Sequence, residues 1–204
     1  MANISSPFGF RQFRRLDGGA PTAGFDTLTI ASSDANVIGT GDVVADGTKP
    51  YVSVLSSGLS QVRGVFMGCE FFSPTVGRKV WSPFFPGSVA TTSGVSDAQA
   101  WVCTDPEMLY IVQCSTSGIV GSSLVGQNFG VSSGTFGAAN TTTGVSGMTL
   151  ASTSFATTNN LPWRLYDLYS NWAPPGVNGT DNTSAGNIVI VAPNNFDRTQ
   201  ATGV

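Results

Sequence analysis

No histidine occurs anywhere in the 204 residues. Ser/His/Asp and Cys/His nucleophile arrangements are therefore excluded, because each needs an imidazole to take the proton. Cysteine is limited to Cys69, Cys103 and Cys114, with no CxxC pair. A zinc site needs about four N/S ligands at close spacing, so no metal is expected. Dispersed and flanked by apolar residues, the three read as reduced core thiols of a chain that folds in a cytosolic environment. Charge is scarce too, at 10% of residues against about a quarter in average proteins. No apolar run approaches the length of a membrane span, and no N-terminal stretch has the basic, apolar and small-residue order of a signal peptide. A soluble protein with no membrane partner is expected.

The net charge of −3 and pI near 4.6 count against general nucleic-acid binding, which needs clustered Lys and Arg. One cluster stands apart: Arg11, Arg14 and Arg15 are three of only nine basic residues. Paired carboxylates at Asp105 and Glu107 could suggest glycosidase chemistry. Their place around Pro106 is explained by turn capping, and a solvated turn offers no desolvation to separate their pKa values. Glu70 reads as an ion-pair partner of an arginine such as Arg63 or Arg164. Asp34, Asp42 and Asp46 do not fit a calcium loop. Gly144-Val145-Ser146-Gly147 lacks the lysine of a phosphate loop. No enzyme activity and no cofactor are expected.

What is present is β-forming. Hydrophobic residues reach 41%, with 13 Phe and 25 Gly in a Ser/Thr-rich background, a composition of strands joined by Gly/Ser/Thr loops. The five-residue apolar run Met108-Leu109-Tyr110-Ile111-Val112 does not alternate, which predicts a strand buried on both faces. Turn chemistry at Thr104-Asp105-Pro106-Glu107 predicts a hairpin with residues 101–103 as the partner strand. Further strands are expected over 27–31, 37–45, 51–55 and 61–72, the last bent or bulged at its glycines. Residues 163–169 alternate and should pair antiparallel with 187–191. Prolines at 74, 83 and 86 predict an ordered, aromatic-rich loop over 73–87, and 135–154 reads as a lid or a pair of edge strands.

The fold expected is all-β, a single β-barrel or β-sandwich-like domain over 27–193. It carries an extended N-terminal arm over 1–26 and a polar C-terminal tail over 194–204. In the arm, Phe8, Phe10, Phe13 and Phe25 are interleaved with arginines. Aromatics of an arm without its own core must be buried against the parent domain, against a neighbouring subunit, or in stacking on nucleic acid. On the inter-subunit reading, deleting residues 1–20 leaves a folded β domain that no longer binds its partner.

Several motifs are similar to those of tailed-bacteriophage head decoration (cement) proteins. They are Pro7-Phe8-Gly9-Phe10-Arg11, Leu16-Asp17-Gly18-Gly19, Gly41-Asp42-Val43-Val44, Val62-Arg63-Gly64-Val65-Phe66, Asp105-Pro106-Glu107-Met108-Leu109, Thr142-Thr143-Gly144-Val145-Ser146-Gly147-Met148, and the closing residues 195–204. The resemblance implies a homotrimeric virion subunit made in the bacterial host cytoplasm. Its partner is the major capsid protein, on the outer capsid surface between capsomers, and it stabilises the DNA-filled head without binding nucleic acid. Candidate capsid or subunit contacts are Phe8, Phe10, Arg11, Phe13, Arg14, Arg15, Trp81, Phe84 and Phe85. The alternative is a carbohydrate-binding tail or receptor-recognition module with Trp81, Phe84, Trp163 and Trp172 as stacking platforms. An adhesin is a third class, weakened by the missing signal sequence.

Overall fold

The computed structural model describes residues 3–21, 24–58, 61–88, 97–137, 139–169 and 180–197. In chain order the strands are β1 (Arg11–Arg15), β2 (Asp26–Ile30), β3 (Ile38–Gly39), β4 (Val43–Asp46), β5 (Val52–Val54), β6 (Gly64–Ser73) and β7 (Arg78–Ser82). They continue with β8 (Phe84–Phe85), β9 (Ala98–Cys103), β10 (Met108–Gln113), β11 (Asn128–Val131), β12 (Leu150–Ala156), β13 (Trp163–Leu168) and β14 (Ile188–Pro193). Among the described residues, helix is limited to two 3-10 turns, Ser122–Leu124 and Ser133–Thr135.

Two open antiparallel sheets carry the fold. The first runs β1-β10-β14-β13-β11-β12. The second runs β2-β9-β6-β4-β5, with β7 also on β6. A two-stranded ribbon, β3-β8, is separate. The architecture is a β-sandwich, and no barrel closes. The antiparallel pairing expected of residues 163–169 with 187–191 is borne out, with Trp163 opposite Pro193, but a bulge between Leu165 and Asp167 breaks the expected alternation and turns Asp167 to the other face. The bulge expected in residues 61–72 lies between Phe66 and Gly68. At Gly64 the chains approach so closely that a Cβ would meet the Cys103 carbonyl oxygen at 2.5 Å.

The hairpin expected over 101–112 does not form. β9 pairs with β2 and β6, whereas β10 pairs with β1 and β14 in the other sheet. Turn chemistry was read correctly, since the Glu107 amide donates to Asp105 Oδ1 at 2.9 Å. A turn reverses a chain without stating which sheet receives it, and here it carries the chain from one layer to the other.

Residues 73–87 are also more regular than expected. Their prolines fall outside the strands, so β6 and β7 form a hairpin with Glu70 opposite Trp81, and Pro83 separates β7 from β8. Glu70 pairs with Lys79 Nζ at 3.1 Å, not with an arginine. Of residues 135–154, the last five belong to one edge strand, β12.

The core between the sheets is centred on Trp163, which is fully buried. Phe10 stacks on it at 4.4 Å between ring centroids, and Tyr110 and Phe196 meet it edge-on at 5.3 and 5.1 Å. Phe10 lies in the arm and Phe196 in the tail, so residues from both predicted extensions complete the domain's own core. Extended polar chain does this because each segment supplies one large aromatic whose burial outweighs the ordering of its neighbours.

Cys69, Cys103 and Cys114 are free and buried, as expected of core thiols. Burial pushes the thiols of Cys69 and Cys114 up to about 12. A thiol reagent at pH 8 is expected to label neither in the native protein and both in urea. Rapid native labelling of either would contradict the packing.

Candidate interaction surface

The nine residues picked out for contact separate by burial and by place. Phe10 and Phe85 are fully buried, so neither offers a surface to a partner. Phe85 lies in the β3-β8 ribbon, opposite Ile38, with its ring edge-on to Phe71 at 6.1 Å. Phe84 and Phe8 are half-buried, and the Arg11 guanidinium lies 5.0 Å from the Phe8 ring centroid. Arg15 is held by three carboxylates: Asp105 at 3.1 Å, Glu107 at 2.5 Å and Asp17 at 3.5 Å. This cluster, led by the Glu107 hydrogen bond, raises the Arg15 pKa. The Asp105/Glu107 pair is thus the anchor of an arginine from β1. Arg11, Phe13 and Arg14 remain exposed on β1, an edge of the first sheet.

Trp81 lies elsewhere, on β7 of the second sheet, and is 75% exposed. Its indole stacks on Trp101 at 3.9 Å, with only 14° between the planes. Trp101 belongs to β9, and β6 runs between the two tryptophans. They meet because the β6 residue opposite Trp101 is Gly68, which has no side chain to separate them. Phe25, Met67, Ser82 and Pro83 join Gly68 and the two indoles around a trough of about 400 Å³. Its lining is almost wholly apolar.

Of the proposed carbohydrate platforms, only Trp81 is fully presented. Trp163 is the centre of the core and can stack on no ligand; Trp172 lies outside the described residues.

Comparison with family models, with curated proteins and with solved structures finds no match to this chain.

Sequence reasoning missed Trp101, Phe25 and Met67 as surface residues. For Trp101 a signal existed. In β9 the buried positions are Ala98, Ala100, Val102 and the terminal Cys103, which leaves Gln99 and Trp101 pointing outward. The small size of the inward Ala98 and Ala100, with the large indole just after them, marks the outward face.

A second feature was missed. Asp42 is fully buried, and it accepts hydrogen bonds from the Gly39 amide at 2.6 Å and from the Ser146 hydroxyl. The same knot receives the arm, since the Phe10 amide donates to the Gly41 carbonyl at 2.9 Å. Gly9 beside it has φ +71°, and a Cβ there would meet Ser146 Cβ at 2.5 Å. Burial raises the Asp42 pKa to about 6, and its two hydrogen bonds only partly oppose that. Among the described residues no three metal-ligating side chains converge.

Proposed function

We propose that this chain is a structural virion protein, a decoration or cement subunit. It binds the outer capsid surface between capsomers, adds cross-links there and acts as a homotrimer. The observation that carries this reading is the Trp81–Trp101 trough, an apolar surface that the described residues leave open. Apolar surface of this kind, free of charged groups, becomes stabilising only when a partner covers it. The motif resemblance and the acidic balance of the chain support an outward position on the head, away from DNA. The decisive measurement compares heads with and without the protein for temperature of DNA release, using Trp81→Ala as the surface variant. Bare heads are expected to release DNA at lower temperature, and the variant to dissociate more readily. Equal release temperatures would remove the cement role.

A carbohydrate-binding module remains the second reading, favoured by the flat exposed face of Trp81. Binding of the isolated protein to a glycan array, with only a handful of copies per particle, would select it over the first.

A further inference from the structure

The outer face of the first sheet carries a feature independent of the trough. One row across it runs Arg14 on β1, Leu109 on β10, Ala192 on β14 and Arg164 on β13. Arg14 pairs with Leu109 and Ala192 with Arg164, and the rung after Tyr110–Val191 brings Leu109 to Ala192. Leu109 and Ala192 belong to a small apolar cluster with Ile190, separate from the main core. Over Ala192 lies a pocket of about 430 Å³, walled by Leu16, Val125, Tyr166 and Arg164. Leu16, Val125 and Tyr166 are all exposed.

Neither Arg14 nor Arg164 is paired with a carboxylate among the described residues. The neighbouring row holds Arg11, Ile111, Ile190 and Asp167, so the two rows together carry three arginines and one aspartate. These two rows are therefore net positive on a chain whose net charge is −3, while Asp17 and Glu107 at their end are taken up by Arg15. Guanidinium forks fit carboxylates in a bidentate manner. Phosphate-backbone binding, by contrast, depends on denser clusters of positive charge than three arginines spread over two rows.

We propose that the pocket over Ala192 and the arginines on either side of it dock an extended acidic segment of a partner protein. One apolar side chain enters the pocket, and carboxylates before and after it reach Arg14 and Arg164. The spacing fits. Three strand intervals of about 4.8 Å separate the arginines, about 14 Å in all, and four residues of extended peptide at about 3.4 Å each cover that distance. Residues i, i+2 and i+4 of an extended segment point the same way, so the motif is acidic-x-apolar-x-acidic. This does not depend on the capsid reading, since any protein partner could supply such a segment.

The test titrates the full-length protein with the capped peptide Ser-Glu-Ser-Leu-Ser-Glu-Ser by calorimetry at low salt. Saturable binding is expected, weakened at least about tenfold in the double variant Arg14→Glu/Arg164→Glu and weakened by added salt. A peptide with lysine in place of glutamate should not bind, and one with the glutamates two residues apart should bind several-fold less. Val125→Trp, which fills the pocket and keeps both arginines, should also weaken binding, while Arg78→Glu on β7 should not. Far-UV circular dichroism checks that each variant is folded. Absence of saturable binding overturns the proposal, as does binding indifferent to the charge reversal; the arginines would then be ordinary solvated charges of the sheet face. Tighter binding of a 15-nucleotide oligothymidylate, lost on the same reversal, would also overturn it, in favour of nucleic acid.

Discussion

Deleting residues 1–15 is expected to unfold the domain or leave it too weakly packed to unfold cooperatively. The deletion removes β1 and with it the pairing of Arg11–Arg15 on β10. It removes Phe10 from its stack on Trp163, and it leaves the Gly41 carbonyl without the Phe10 amide. It also strips Arg15 from Asp105 and Glu107. Truncating one fully buried phenylalanine alone costs about 3–5 kcal/mol, against a typical total stability of about 5–15 kcal/mol. Phe10→Ala is the milder form of the experiment, with a loss of about 3–5 kcal/mol in urea unfolding followed by near-UV circular dichroism. A detachable arm would behave in the opposite way: the truncated protein would keep its unfolding midpoint and lose only its partner. An unchanged midpoint would therefore return the segment to the role of an external arm.

Asp42 should make the protein less stable as pH rises from about 4 to 6. Its folded-state pKa, about 6, lies above the ordinary 3.8 because burial disfavours the charged form. The folded state then binds the proton more tightly than the unfolded chain. The resulting stability is fully present below pH 4 and is lost as pH passes 6. A shift of this size corresponds to about 3 kcal/mol. Asp181 and Asp97 titrate in the other sense, each held below the usual carboxylate range by hydrogen bonds, and so act only below pH 4. Urea midpoints from pH 4 to 7 should fall in the native sequence and change much less in Asp42→Asn. Parallel profiles for the two proteins would show that Asp42 does not set the slope.

The β class and most of the strands were legible in the chain because period-2 alternation, glycine and proline placement act locally. Residues 27–31, 51–55 and 163–169 each contain their strand in full or nearly so. Four things were not legible. Sheet membership after the Asp105–Glu107 turn depends on partners distant in sequence. The burial of Phe10 depends on a space around Trp163 that no local pattern announces. The stacking of Trp101 on Trp81, two strands away, depends on the missing side chain of Gly68 on the strand between them. The burial of Asp42 depends on Ser146, more than a hundred residues later.

The position of Trp163 between Phe10 and Phe196 also bears on how the chain acquires its fold. During synthesis the segment around Phe10 emerges from the ribosome early and must wait for Trp163, and that core is closed only when Phe196 follows. Contacts so remote in sequence slow folding. The sandwich therefore matures only once the chain as far as Phe196 has been made, and the waiting β1 edge is the surface on which nascent copies would first mispair.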